Sequence, residues 1–156
     1  MVAGFLTVAA AHAQSVNPTN KPKVTDVSTD HLKLRYVKDV VVAPDGTAAF
    51  VLEIEPRGGM HVYAPGADDY QVIDLAIDQH ARVRPRPLRY PASEIYVFQP
   101  LNEKIPVYQK PFRLILEAVV DKAPGPRAVT GRLAYQACDD KVCFAPVSVP
   151  LSWTLP

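Results

Sequence analysis

Cys138 and Cys143 are the only two cysteines among 156 residues, and they hold most of the chemistry this sequence can do. Asp139-Asp140-Lys141-Val142 separates them, between a segment ending Tyr135-Gln136-Ala137 and one resuming at Val147. A hairpin with a four-residue loop would set the two cysteines opposite one another, at the cross-strand distance of about 4.5 to 5.5 Å that a disulfide accepts. The spacing permits a bond without saying what the bond is for. In the chain-entropy model a loop of about six residues contributes only roughly 2 kcal/mol, against nearly 5 for a loop of a hundred. Immunoglobulin-type staples instead join two sheets across a long loop. A redox-active pair and a local structural clip therefore both stand open. Zinc fits poorly, since it takes four ligands and His12, His31, His61 and His80 form no ligand-spaced cluster with the cysteines. No metal and no cofactor is expected.

The pair differs from a thioredoxin Cys-x-x-Cys, where a helix N-terminus stabilises the thiolate. No helix is predicted here, and Asp139 and Asp140 are neighbouring negative charges that would raise a thiol pKa. Such a thiol reacts slowly with small oxidants. It suits a carrier that exchanges electrons when a docked partner supplies the low-pKa sulfur.

The elements that must hold these cysteines are strands. Leu32, Leu34 and Tyr36 alternate with Lys33, Arg35 and Val37; Phe50, Leu52 and Ile54 alternate with Val51, Glu53 and Glu55; Phe112, Leu114, Leu116 and Ala118 do the same. Residues 72–77 and 129–137 add two more strands, and Val147, Val149, Leu151 and Trp153 give a last one. Pro44-Asp45-Gly46, Arg57-Gly58-Gly59, Ala64-Pro65-Gly66 and Ala123-Pro124-Gly125-Pro126 are turn signals between them. Seven or so strands without a convincing 3.6-residue period predict an all-β fold, an immunoglobulin-like antiparallel β-sandwich. Sixteen prolines, about twice the usual share of roughly 5%, argue against long helices. Pro85, Pro87, Pro91, Pro100, Pro106 and Pro111 crowd into residues 82–111 among Tyr90, Tyr96, Phe98 and Tyr108, which reads as a long ordered loop.

Residues 1–13 contain no Lys, Arg, Asp or Glu and end Ala11-His12-Ala13, the pattern of a signal peptide cleaved near Ala13. Residues 14–30 read as a flexible leader and 31–156 as the folded domain. Export to an oxidising compartment, where a disulfide persists, is the expectation, with no membrane insertion of the mature chain. Seventeen Lys and Arg against sixteen Asp and Glu give a net charge of +1, which removes the electrostatic case for nucleic acid.

The segment from Tyr135 to Pro146 strongly resembles the cysteine hairpin of the N-terminal periplasmic domain of the thiol:disulfide interchange protein DsbD. Gly59-Met60-His61-Val62-Tyr63-Ala64 is similar to that family's Gly-x-x-x-Tyr segment, and Ile105-Pro106-Val107-Tyr108 before Phe112-Arg113-Leu114 to its short Tyr segment leading into a strand. The resemblance covers residues 40–155. It implies a periplasmic module of a protein-disulfide reductase system, taking electrons from a membrane-embedded thiol donor and passing them to a thioredoxin-like or disulfide isomerase acceptor in disulfide isomerisation or cytochrome c maturation. It assigns the mixed disulfide to Cys143 and the resolving role to Cys138, with a shielding cap at Phe98, or alternatively Tyr96, and flanking side chains at His61 and Tyr63. The family's acidic pair before the cap aromatic is replaced here by Tyr96-Val97, with Glu94, Asp139 or Asp140 as substitutes. A length of 156 residues suggests the exchange module alone, with its donor acting in trans. The rival expectation, from a different class, is a non-catalytic secreted sandwich in which the hairpin disulfide is structural; a metal-binding accessory protein is the third.

Overall fold

The computed structural model describes residues 22–99 and 102–156, so the expected signal peptide and Pro100 lie outside the described residues. Twelve strands follow one another along the chain and every pairing between them is antiparallel. They are β1 (Val24–Ser28), β2 (Leu32–Val37), β3 (Thr47–Pro56), β4 (His61–Tyr63), β5 (Asp74–Ile77), β6 (Val83–Pro85), β7 (Glu94–Phe98), β8 (Glu103–Tyr108), β9 (Phe112–Val120), β10 (Ala128–Tyr135), β11 (Ala137–Cys138) and β12 (Val147–Thr154). They build a five-stranded sheet in the order β1-β2-β3-β9-β6, a three-stranded sheet β12-β10-β5 and a four-stranded sheet β11-β4-β8-β7. The architecture is the immunoglobulin-like β-sandwich that the alternation predicts, and among the described residues no helix is long and apolar enough to cross a membrane.

Period-two burial follows the sequence directly. Leu32, Leu34 and Tyr36 of β2, Phe50, Leu52 and Ile54 of β3 and Leu114, Leu116 and Ala118 of β9 turn inward, where they meet Val129, Leu133, Val149, Leu151 and Trp153 of the three-stranded sheet. Trp153 is the largest fully buried side chain, with Phe50 at its edge 5.1 Å away between ring centres and Tyr36 at 5.5 Å. The outer face of the five-stranded sheet carries the alternate residues. Its register sets Asp26, Arg35, Glu53 and Arg113 in one row across four strands, alternating in sign. Arg35 pairs with Asp26 at 2.8 Å and Arg113 with Glu53. Exposed pairs of this kind contribute at most about 1 kcal/mol each, so the core and not this row holds the sandwich.

Two expectations are corrected. The stretch read as one long loop contains β6, β7 and β8, and β7 and β8 form a regular five-pair antiparallel hairpin from Glu94↔Val107 to Phe98↔Glu103. The prolines permit this because of where they fall. Pro87, Pro91 and Pro111 lie outside strands, Pro85 is on the edge strand β6, and Pro106 sits just past the last pair of the β4–β8 ladder, its carbonyl accepting from Ala64 N. The residues read as a flexible leader also contribute: Val24–Ser28 pairs along its full length with β2, from Val24↔Val37 to Ser28↔Lys33. The polar residues there suit an edge strand whose pattern alternates only weakly.

Gly131 lies on β10, the middle strand of the three-stranded sheet, close against both neighbouring strands. A Cβ built on it would stand 2.4 Å from the Ala76 carbonyl oxygen and 3.2 Å from the Trp153 ring. Gly131→Ala is expected to cost about 1–3 kcal/mol through overpacking against a backbone that cannot yield, read as a lower urea midpoint with an unchanged slope. A midpoint equal to the parent's would show that β5 can move away from β10 freely.

Candidate functional site

The small four-stranded sheet positions the cysteines by using its two faces differently. In β4, Val62 points into the main core, while His61 and Tyr63 point the other way; in β11, Ala137 joins the main core and Cys138 the opposite face. The register Ala137↔Val62 and Cys138↔His61 aligns these faces. Tyr63 then continues across to Val107 and on to Glu94, with Ile105 opposite Tyr96 and Glu103 opposite Phe98 in the next rows. The result is a second, smaller cluster of Tyr63, Ala67, Ile105, Val107 and Cys138, with Tyr70, Val72, Tyr96 and Phe98 packed against it.

Cys138 and Cys143 form a disulfide across an antiparallel bridge, with their Cα atoms 4.1 Å apart. The two ends differ sharply in environment. Cys138 is 1% exposed, whereas Cys143 lies on the surface. The loop between them is closed by backbone bonds from Asp139 N to Val142 O and from Phe144 N to Ala137 O. Asp139 also folds its carboxylate over the turn, where Oδ1 accepts from Lys141 N at 2.7 Å and Val142 N at 2.6 Å. Those donors, Val142's foremost, hold the Asp139 carboxyl below its ordinary value. Asp140 is exposed on the same turn.

Tyr63 is the polar group at the sulfurs. Disulfide sulfurs carry no hydrogen, so its hydroxyl is the donor, 2.7 Å from Cys138 Sγ and 3.3 Å from Cys143 Sγ. Burial pushes the Tyr63 hydroxyl well above its ordinary range, with Tyr70, Glu103 and Tyr96 adding to the effect, so it stays protonated and able to donate. His61, 4% exposed, presents its ring at right angles to Tyr63 at 5.6 Å and lies against Tyr96 at 4.5 Å. Burial lowers the His61 pKa, opposed in part by Asp139, so the ring is neutral near pH 7. It can therefore accept or relay a proton without placing a fixed charge beside the sulfurs.

The structure brings Cys138, Cys143, His61, Tyr63, Tyr96 and Phe98 together, with Asp139 and Asp140 on the turn between the cysteines, while Glu94 pairs with Lys110. Tyr96 touches His61, the cross-strand partner of Cys138, and Phe98 packs on the cluster that contains Cys138. Two participants escape a reading of the sequence. Tyr70 stacks on Tyr63 with ring centres 4.0 Å apart, and Gln136 accepts from Gln71 N while donating to Phe144 O, joining the 64–72 loop to the cysteine hairpin. Gln136 falls within the segment read as a strand over 129–137, which says nothing of a loop partner, and for Tyr70 only the Ala64-Pro65-Gly66 turn signal, with Gly66 at φ +96°, points to a loop that folds back. No cluster of three or more candidate metal ligands occurs among the described residues.

The family model of the N-terminal domain of thiol:disulfide interchange protein DsbD matches residues 29–149. Among solved structures, the N-terminal periplasmic domain of ScsB from Proteus mirabilis superposes with a TM-score of 0.68 at 15% identity, covering 86% of this chain and 52% of that one. The chain thus spans about half the length of that structure. The reduced DsbD N-terminal domain of Neisseria meningitidis matches at 19% identity and a TM-score of 0.42, covering 74% of this chain and 81% of that one. The GAE domain of GGA2p from Saccharomyces cerevisiae matches at 12% identity and a TM-score of 0.46, covering 86% and 98%. No curated protein sequence matches the chain.

The Asp139 turn yields a pH signature. A carboxyl whose pKa is lowered on folding contributes stability above its ordinary value of 3.8 and loses that contribution as pH falls through the lower folded value. Asp139→Ala is therefore expected to be less stable than the parent at pH 7, with the gap closing at pH 2–3. Denaturant unfolding at both pH values checks this, and a gap that persists in acid would mean that the carboxylate's charge is not what closes the turn.

Proposed function

The chain belongs to the family of N-terminal domains of the thiol:disulfide interchange protein DsbD, and on that footing we propose that it passes reducing equivalents through Cys138 and Cys143 between two protein partners in an exported, periplasmic compartment. The observation that carries this reading is the asymmetry of the pair: one sulfur is buried beside a hydroxyl donor and the other is at the surface. A structural clip needs no such division. An exchange centre does, because one sulfur must meet the partner and the other must act as internal leaving group and nucleophile.

A donor thiolate attacks Cys143 Sγ, the Cys138–Cys143 bond breaks, and the electron pair leaves on Cys138 Sγ, which takes up a proton. The donor's second thiolate then attacks its own sulfur in the mixed disulfide and releases Cys143 as a thiolate that takes up the second proton, so two electrons and two protons have been gained. In discharge, Cys143 loses its proton and its thiolate attacks an acceptor disulfide, whose first sulfur leaves as a thiolate and is protonated; Cys138, losing its own proton, then attacks Cys143 Sγ, expelling the acceptor's second sulfur as a thiolate that is protonated in turn, and restoring the internal bond. Tyr63, within 2.7 Å of Cys138 Sγ, donates to the charge that develops there. Tyr96 and Phe98 on the β7–β8 hairpin act as the cap that keeps small thiols and oxidants from the buried sulfur. The donor is a membrane-embedded thiol domain, and the acceptor a thioredoxin-like oxidoreductase of disulfide isomerisation or cytochrome c maturation.

Trapping tests the assignment of roles. Reduced Cys138→Ala protein mixed with an oxidised periplasmic thioredoxin-like oxidoreductase is expected to form a covalent one-to-one adduct that dithiothreitol cleaves, visible on a non-reducing gel. Cys143→Ala should form none. Adducts of equal yield from both variants, or from neither, would overturn the reading.

A further inference from the structure

The sheet fixes the backbone of Tyr63, but the hydroxyl lies at the end of a ring that can still rotate about its side-chain bonds. Two side chains limit that freedom. His61, two residues away on the same strand, meets the ring edge-on, and Tyr70 lies flat on it, with ring centres 4.0 Å apart and planes 11° apart. His61 is held by the β4–β11 pairing itself. Tyr70 comes from elsewhere, so its placement is a separate device.

The loop that brings Tyr70 there is built for the purpose. It leaves β4 at Ala64, turns at Gly66 with φ +96°, and passes through successive short backbone bonds from Ala67 N to Ala64 O and from Tyr70 N to Ala67 O. Ile73 N then returns to Tyr63 O, so the loop begins and ends on the residue it covers. Ala67 is buried in the same cluster as Tyr63 and Cys138. Beyond the stack, Gln71 N donates to Gln136 Oε1 at 3.2 Å and Gln136 Nε2 donates to Phe144 O at 3.1 Å, which ties the loop to the residue following Cys143. The Tyr70 ring is thus anchored both to the strand that carries Tyr63 and to the hairpin that carries the sulfurs.

We propose that Tyr70 is a positioning residue of the exchange centre: its ring, stacked on Tyr63, holds the Tyr63 hydroxyl at the Cys138 sulfur. The inference rests on the exchange reading insofar as Cys138 must become a thiolate during the cycle. The role belongs to the ring face rather than to the Tyr70 hydroxyl, because the stack involves the whole ring and the Tyr70 hydroxyl makes no hydrogen bond to either sulfur. A stacked aromatic pair of this kind adds attraction beyond simple burial, enough to select one orientation of Tyr63 over others. Charge-assisted hydrogen bonds weaken steeply with misalignment, so a loosened Tyr63 ring should stabilise the Cys138 thiolate less.

The readout is the thiol pKa of Cys138, followed by thiolate ultraviolet absorbance in a Cys143→Ser background so that one thiol titrates. Tyr63→Phe is expected to raise that pKa by about one unit, the loss of one hydrogen bond to a charged group. Tyr70→Ala and Tyr70→Leu should raise it by a substantial part of the same amount, and Tyr70→Phe should restore the parent value. Added to Tyr63→Phe, neither Tyr70→Ala nor Tyr70→Leu should have a further effect, since the coupling runs through the hydroxyl. Thermal unfolding identifies which variants are folded, and if Tyr70→Ala is not, Tyr70→Leu carries the comparison. An unshifted pKa in folded Tyr70→Leu, or a shift that persists undiminished in the Tyr63→Phe background, overturns the proposal. The titration needs no partner, so failure of the trapping experiment removes the exchange reading without touching this result. Successful trapping with an uncoupled Tyr70 removes only this inference.

Discussion

A two-residue strand decides whether this molecule has a site at all. Because Ala137 pairs with Val62 and Cys138 with His61, the sandwich core receives Ala137 and the opposite face of the small sheet receives the sulfur. A slip of one residue in that pairing would exchange the two faces. Cys138 would then enter the main core beside Val62 and Tyr108, and the Tyr63 hydroxyl would have no sulfur to donate to. What prevents the slip is the bulk already committed on either side of it: Tyr135 just before β11 is fully buried, with its hydroxyl 2.8 Å from Thr29 Oγ1, and Phe144 just after the cysteines lies against the His31 ring at 4.6 Å. The register of two residues is thus held by aromatic anchors outside them.

The same arrangement explains the electrostatics. Exchange at Cys138 requires a negative charge to appear at a buried atom, which burial opposes. Thioredoxins meet that demand with the end of a helix. No helix occurs among the described residues, and the neighbouring Asp139 carboxylate is occupied by the backbone donors of its own turn. The remaining resource is a neutral donor that does not itself ionise. Tyr63 fits because burial drives its pKa up, and neutral His61 beside it adds no competing cation. A site built in this way favours the disulfide until a partner brings its own reactive thiolate, which is consistent with a carrier rather than a general oxidant or reductant.

Much of this was legible in the sequence, and the parts that were not share a cause. Period-two burial in β2, β3, β9 and β12 reads directly from Leu32 to Trp153, because one face of each strand meets one core. The cysteine hairpin reads from spacing, since four intervening residues fix the geometry nearly by themselves. Residues 82–111 read as a loop because proline content alone says nothing of which backbone N–H a strand needs. Pro106 looks prohibitive inside a strand until the ladder of β4 is seen to end beside it. Tyr70 and Gln136 were invisible for another reason: their partners, Tyr63, Gln71 and Phe144, are reached across loops that carry no periodic signal.

The disulfide must also be able to open without dismantling what it closes. In a short hairpin the chain-entropy contribution of the bond is only about 2 kcal/mol, and here the turn is held independently of it. The bonds from Asp139 N to Val142 O and from Phe144 N to Ala137 O, together with the two donors on the Asp139 carboxylate, do not involve either sulfur. Gln136 holds the far side of the hairpin through Phe144 O. Reduction is therefore expected to release the two sulfurs from each other while the turn keeps them near enough to re-form the bond. The weakness of the disulfide as a staple, which at first sight counts against its usefulness, is what the proposed exchange requires: a bond whose opening removes little of the scaffold's stability.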